Sequence, residues 1–189
     1  MKKLLAVSLA LVASAEVCFG AAIDWTLSGM NTALTDYAGN TAGKTTVYLV
    51  LADNKSIASI TDVAGEDAFT TALGSITVAT VSSGTDGKKP ATTTATFESP
   101  LLDAGTSYTF GMLYVSNDTD GNGFYRLLKS QSSVAAYDSS DPSSSQAVSL
   151  SWSTMKSAAW TKGYTAVPEP STVALALAGL ALLLKRRKA

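Results

Sequence analysis

Along most of this chain, apolar and polar residues alternate with a period of two. Ile23, Trp25 and Leu27 are interleaved with Asp24, Thr26 and Ser28, and Val148, Leu150 and Trp152 with Ser149 and Ser151. Tyr108, Phe110, Met112 and Tyr114 fall on one face, with Thr109, Gly111, Leu113 and Val115 on the other. A strand points successive side chains to opposite faces, so each segment reads as a strand with one face inward. Residues 47–51 form an unbroken apolar run, the pattern of a central strand covered on both faces. Residues 75–81 and 92–97 are rich in threonine and valine, which suit a pleated surface. With residues 124–129 the pattern gives about seven strands.

One short helix is expected between strands. Glu66 and Asp67 suit a first helical turn, where the dipole favours negative charge. Phe69 and Leu73 lie one turn apart on one face, and Gly74 offers a stop. Residues 55–63 either extend this helix or form a separate turn. Residues 82–90 and 139–145 are serine-, glycine- and proline-containing loops. Short strands separated by such turns predict an all-β domain, an antiparallel β-sandwich of about seven strands with one short helix. The domain would occupy residues 23–156, with residues 157–166 as a tether.

The two ends break the strand pattern. Met1-Lys2-Lys3 precedes an apolar run over residues 4–12 and then small residues, which is the layout of a secretory signal peptide. We read residues 1–22 as this signal helix, with cleavage after Ala15, Gly20 or Ala22. Cys18, the single cysteine, lies in this zone, so the domain has no intramolecular disulfide and relies on its core. At the other end, Val167-Pro168-Glu169-Pro170 leads into Ser171-Thr172 and an apolar run over residues 173–184, closed by Lys185, Arg186, Arg187 and Lys188. As a transmembrane helix this run spans roughly 18 Å, against a hydrocarbon core of about 30 Å. Such a span suits transient anchoring. The basic cluster acts as a membrane stop and stays cytoplasmic. Pro168 and Pro170 keep Glu169 in an extended segment outside the helix.

Pro-Glu-Pro, a short apolar helix and a terminal basic cluster resemble the PEP-CTERM sorting signal of exported Gram-negative proteins. The resemblance covers residues 167–189. It implies processing by an exosortase, a membrane protease-transpeptidase whose genes accompany exopolysaccharide production. It also implies a protein of the cell envelope or extracellular surface, held at the membrane until processed.

Charge and composition narrow the role of the domain. Residues 23–167 carry eight Lys/Arg and thirteen Asp/Glu, a net charge of −5, which argues against a nucleic-acid partner. The sequence contains no histidine, which removes Ser-His-Asp, Cys-His and His-ligated zinc chemistry. Carboxylate chemistry of the glycoside-hydrolase kind remains, but Asp24, Asp53, Asp62, Glu66, Asp67, Glu98 and Asp103 show no pairing in their spacing. Residues 118–123 match the first half of a calcium loop, with Asp118, Asp120 and Asn122 as ligands and Gly123 at the turn. Lys129 then stands where the loop wants a bidentate glutamate, and the flanks are strands, so a plain hairpin turn explains the same residues. Tyr125 and Trp160 are the aromatics expected to be exposed for stacking on sugar rings. The sequence thus leads to a non-enzymatic surface or matrix protein without a required cofactor, calcium being the one candidate. A carbohydrate-binding module associated with exopolysaccharide is the alternative, and a glycoside hydrolase comes after it.

Overall fold

The computed structural model describes residues 20–28, 33–83, 88 and 92–167. The C-terminal transmembrane helix and residues 1–19 of the expected signal helix lie outside these residues. No helix among the described residues is long and apolar enough to cross a membrane.

The domain is mainly β. In chain order, β1 (Ala21–Ser28) and β2 (Thr46–Leu51) precede α1 (Asn54–Ser59), β3 (Val63–Ala64) and α2 (Glu66–Ile76). Next come β4 (Thr77–Ser82), β5 (Thr93–Glu98), β6 (Ser107–Tyr108) and β7 (Phe110–Asn117). They are followed by β8 (Gly123–Lys129), β9 (Val134–Ala135) and β10 (Tyr137–Asp138). The last elements are β11 (Ala147–Ser151), α3 (Trp152–Met155) and β12 (Trp160–Thr165).

A six-stranded sheet runs β3-β12-β8-β7-β2-β4. A four-stranded sheet is built around β1, with β5 on one side and β10 and β11 on the other, and β6 and β9 form a separate pair. The two larger sheets close over one core. Ile23, Trp25 and Leu27 of β1 and Val148 and Leu150 of β11 meet Val47 and Leu49 of β2 and Phe110, Met112 and Tyr114 of β7. The alternation in the sequence reports this face, and its apolar burial is the main source of stability. The run 47–51 is buried on both faces, because Val50 faces the opposite way into a second core with Phe69, Leu73 and Ile76 of α2. The fold therefore has three layers, small sheet, large sheet and helices.

Several expectations need correction. The sheets are not purely antiparallel, since β1–β11 and β12–β3 are parallel pairs. β10 runs antiparallel to β1, and a helical turn at Pro142–Ser144 reverses the chain so that β11 returns alongside β1. There are three α-helices among the described residues. Residues 54–59 form α1 separately, capped by Asp53, whose carboxylate accepts the N–H groups of Lys55 at 2.9 Å and Ser56 at 3.0 Å. Helix α2 runs through Gly74 to Ile76, because burying Ile76 beside Phe69 and Leu73 outweighs the roughly 1 kcal/mol cost of an interior glycine. Trp152 ends the β11 alternation inside α3, yet both Trp152 and Met155 still reach the shared core. Residues 157–166 are no tether, since β12 lies inside the six-stranded sheet between β3 and β8. β1 begins at Ala21, two residues inside the segment read as a signal, and Ala22 is fully buried between partners on both sides.

Two glycines let β12 fit. A Cβ on Gly163 would stand 2.7 Å from the Phe69 ring, and one on Gly123 would stand 1.9 Å from the Tyr164 ring. Gly123→Ala is expected to destabilise the domain by about 1–3 kcal/mol through overpacking. Gly74→Ala, where a Cβ meets nothing within 4 Å, is expected to stabilise it by roughly 0.5–1 kcal/mol. Urea denaturation of the two variants checks both the signs and the contrast.

Candidate functional site

The sorting motif expected at Val167 meets the domain at the end of β12, and three elements hold that end. On one side, β3 pairs in parallel with Tyr164 and Thr165, and the N–H of Gly65 donates to the Thr165 carbonyl at 3.1 Å. On the other side, the side-chain Oδ1 of Asn122 accepts the Ala166 N–H at 3.0 Å. Beneath, the Tyr164 ring is 2% exposed in the helix-side core, and its hydroxyl donates to Asn117 Oδ1 at 3.2 Å. Burial, and then the nearby Glu66 carboxylate, pushes the Tyr164 pKa up. Val167, just past these bonds, is 64% exposed. Pro168, Glu169 and Pro170 follow it directly in sequence. These three, and Lys185, Arg186, Arg187 and Lys188 of the membrane stop, lie outside the described residues.

The loop that supplies Asn122 is the one read as a calcium candidate. It is a hairpin turn joining β7 to β8. Asp118 Oδ1 accepts the N–H groups of Asp120 at 2.9 Å and Asn122 at 2.8 Å, and Oδ2 accepts the Asn122 amide at 2.9 Å. These bonds, the Asn122 side chain first, hold the Asp118 pKa below its ordinary value. Gly121 takes the left-handed conformation, with φ 80°. Thus Asp118 already spends both oxygens on N–H donors, and Asn122 spends its oxygen on Ala166. A cation here would compete with those donors for the same oxygens. The described residues contain no cluster of three His, Cys, Asp or Glu side chains suited to a metal.

The aromatics proposed for sugar stacking sit differently from expectation. Tyr125 is 2% exposed. Its neighbours Phe124 and Arg126 face one side of β8, so alternation turns Tyr125 to the other, under α2. There it packs by Phe69, and its hydroxyl meets Thr61 Oγ1 at 2.8 Å. Trp160 is half-buried. The Arg126 guanidinium lies over its ring at 4.3 Å, and the Tyr37 and Tyr114 rings approach at 5.7 and 5.6 Å. Tyr125 is thus closed to a sugar, and the Trp160 ring is shared with Arg126. The exposed ring of this cluster is Tyr37, stacked on Phe124 at 3.9 Å. It comes from the loop before β2, which carries no strand alternation to mark it. A cleft of ≈390 Å³ lies beside α2, with Tyr48, Leu73, Val115 and Glu66 among its lining.

Four of the seven acids considered for hydrolysis make separate local bonds. Asp24 accepts from Tyr137 at 2.8 Å and Thr96 at 2.7 Å, Asp53 caps α1, and Asp62 pairs with Lys162 at 3.6 Å. The Asp103 carboxylate accepts from the Tyr108 hydroxyl at 3.3 Å. For the calcium reading, the bonded turn leads us to expect the same melting temperature in millimolar calcium as in chelator. A rise with calcium would show that the ion binds the folded state.

No curated protein and no solved structure matches this chain. Residues 166–188 match the PEP-CTERM protein-sorting motif, beginning at the residue whose N–H the hairpin holds. The chain carries the sorting signal of an exosortase substrate, joined without a spacer to the last strand of a mainly β domain.

Proposed function

We propose that this chain is a non-enzymatic protein of the cell surface or extracellular matrix. An N-terminal signal exports it, its C-terminal helix holds it briefly in the membrane, and an exosortase processes it there. The observation that carries this reading is the motif match at residues 166–188, set directly against a folded domain. The motif supports export and envelope association, and processing by an exosortase. The structural bonds of Asp24, Asp53 and Asp103 and the lack of histidine support a binding or scaffolding role over catalysis. The short apolar run over residues 173–184 favours an anchor that is later removed over a permanent one.

Deleting residues 168–170 is expected to leave a larger form retained in the membrane fraction. Immunoblots of fractionated cells check this, and unchanged mass and location would sink the sorting reading. The mature N-terminus is expected at Glu16 or Ala21, because cleavage after Ala22 would strip a fully buried residue from the centre of the small sheet. Mass spectrometry of the protein from its native envelope reads that end directly. A mature chain starting at Ile23 would contradict the expectation.

A further inference from the structure

We infer that the end of β12 is a latch on the sorting signal, so that processing waits for Thr165, Ala166 and Val167 to leave the folded domain. This rests on the reading that the motif is an exosortase substrate. A peptide segment is gripped as an extended strand through its main-chain N–H and C=O groups, with pockets taking alternate side chains. Around this motif, the groups available just upstream are those of Thr165 and Ala166. The domain already holds both. Gly65 N–H donates to the Thr165 carbonyl at 3.1 Å from one side, and Asn122 Oδ1 takes the Ala166 N–H at 3.0 Å from the other.

Distance sharpens this competition. Only Val167 separates the latched residue from Pro168. Two extended residues reach about 7 Å, so Pro168 stays within that distance of Ala166, which lies between the start of α2 and the hairpin. Those flanks form a cleft of ≈480 Å³ whose lining includes Gly65, Glu66, Asp67, Gly121, Ala166 and Val167. An enzyme reading Pro168, Glu169 and Pro170 therefore works against the body of the domain. Releasing one neutral hydrogen bond of this kind changes the open fraction by about fivefold. The latch is thus strong enough to set a processing rate and weak enough to open by fraying the last residue of β12, with the rest of the strand still paired.

The test uses the full-length chain in a host that contains the exosortase. Conversion from the longer to the shorter form is followed after a pulse of synthesis. The first variant inserts, between Val167 and Pro168, about eight Gly/Ser residues followed by a second Ala-Val pair, which moves a whole motif away from the domain and changes no domain residue. Conversion is expected to rise at least about fivefold. The second variant, Asn122→Ala, is expected to rise by about fivefold or less, and to add nothing when combined with the insertion. Because Asn122 also bonds Asp118, its melting curve is measured alongside; the insertion variant decides the matter if that hairpin is weakened. Conversion that is unchanged or slower with the insertion overturns the latch, while loss of conversion on deleting residues 168–170 keeps the sorting reading intact. Normal conversion in that deletion removes both.

Discussion

The six-stranded sheet has two apolar faces, and the rest of the fold answers to that constraint. Strand β2 shows it most clearly: Val47 and Leu49 are buried on one side and Val50 on the other. Neither face can be left to water without losing the burial that drives folding. The small sheet around β1 covers one face, where Trp25 and Trp152 are among the largest fully buried side chains. Helix α2 covers part of the other through Phe69, Leu73 and Ile76. A two-layer sandwich would have exposed this second core, which is why helices are a structural layer here.

The same requirement explains the position of the last strand. β12 inserts between β3 and β8, and its Tyr164 belongs to the helix-side core. Close approach is bought with missing side chains at Gly123 and Gly163, where the rings of Tyr164 and Phe69 occupy the space of a Cβ. The pairing of Tyr164 with Val63 joins distant parts of the chain, so the large sheet closes only when the final strand is available. Completion of the domain and presentation of the sorting motif are therefore physically adjacent events, one residue apart along the chain.

The exit also shows how local chemistry is reused. Residues 118–123 combine Asp, Asn and Gly because a tight turn needs acceptors for its own N–H groups and a left-handed position at Gly121. These are the residue types that a calcium loop uses, for a related reason: both arrange oxygens around a sharp bend. In this hairpin the oxygens face N–H donors, including that of Ala166 just past the end of β12. Trp160 is a parallel case. Its ring is the kind that stacks on sugars, but Arg126 already lies over it, held in turn by the Lys156 carbonyl at 2.7 Å.

By itself the sequence determined the strand faces and the sorting motif. Both are local: a period of two reports which residues of β1, β7 and β11 turn inward, and Pro-Glu-Pro, an apolar run and a basic cluster are contiguous. Tertiary structure decided what depends on partners far along the chain. It made β11 parallel to β1, placed Tyr125 under α2, and turned a supposed tether into β12. The hold on the motif is the extreme case, because the bond from Ala166 reaches Asn122 across 44 residues. Periodicity shows which way a side chain faces along its own strand. What stands opposite it depends also on which strands pair and how the sheets stack, and these join segments far apart in the sequence.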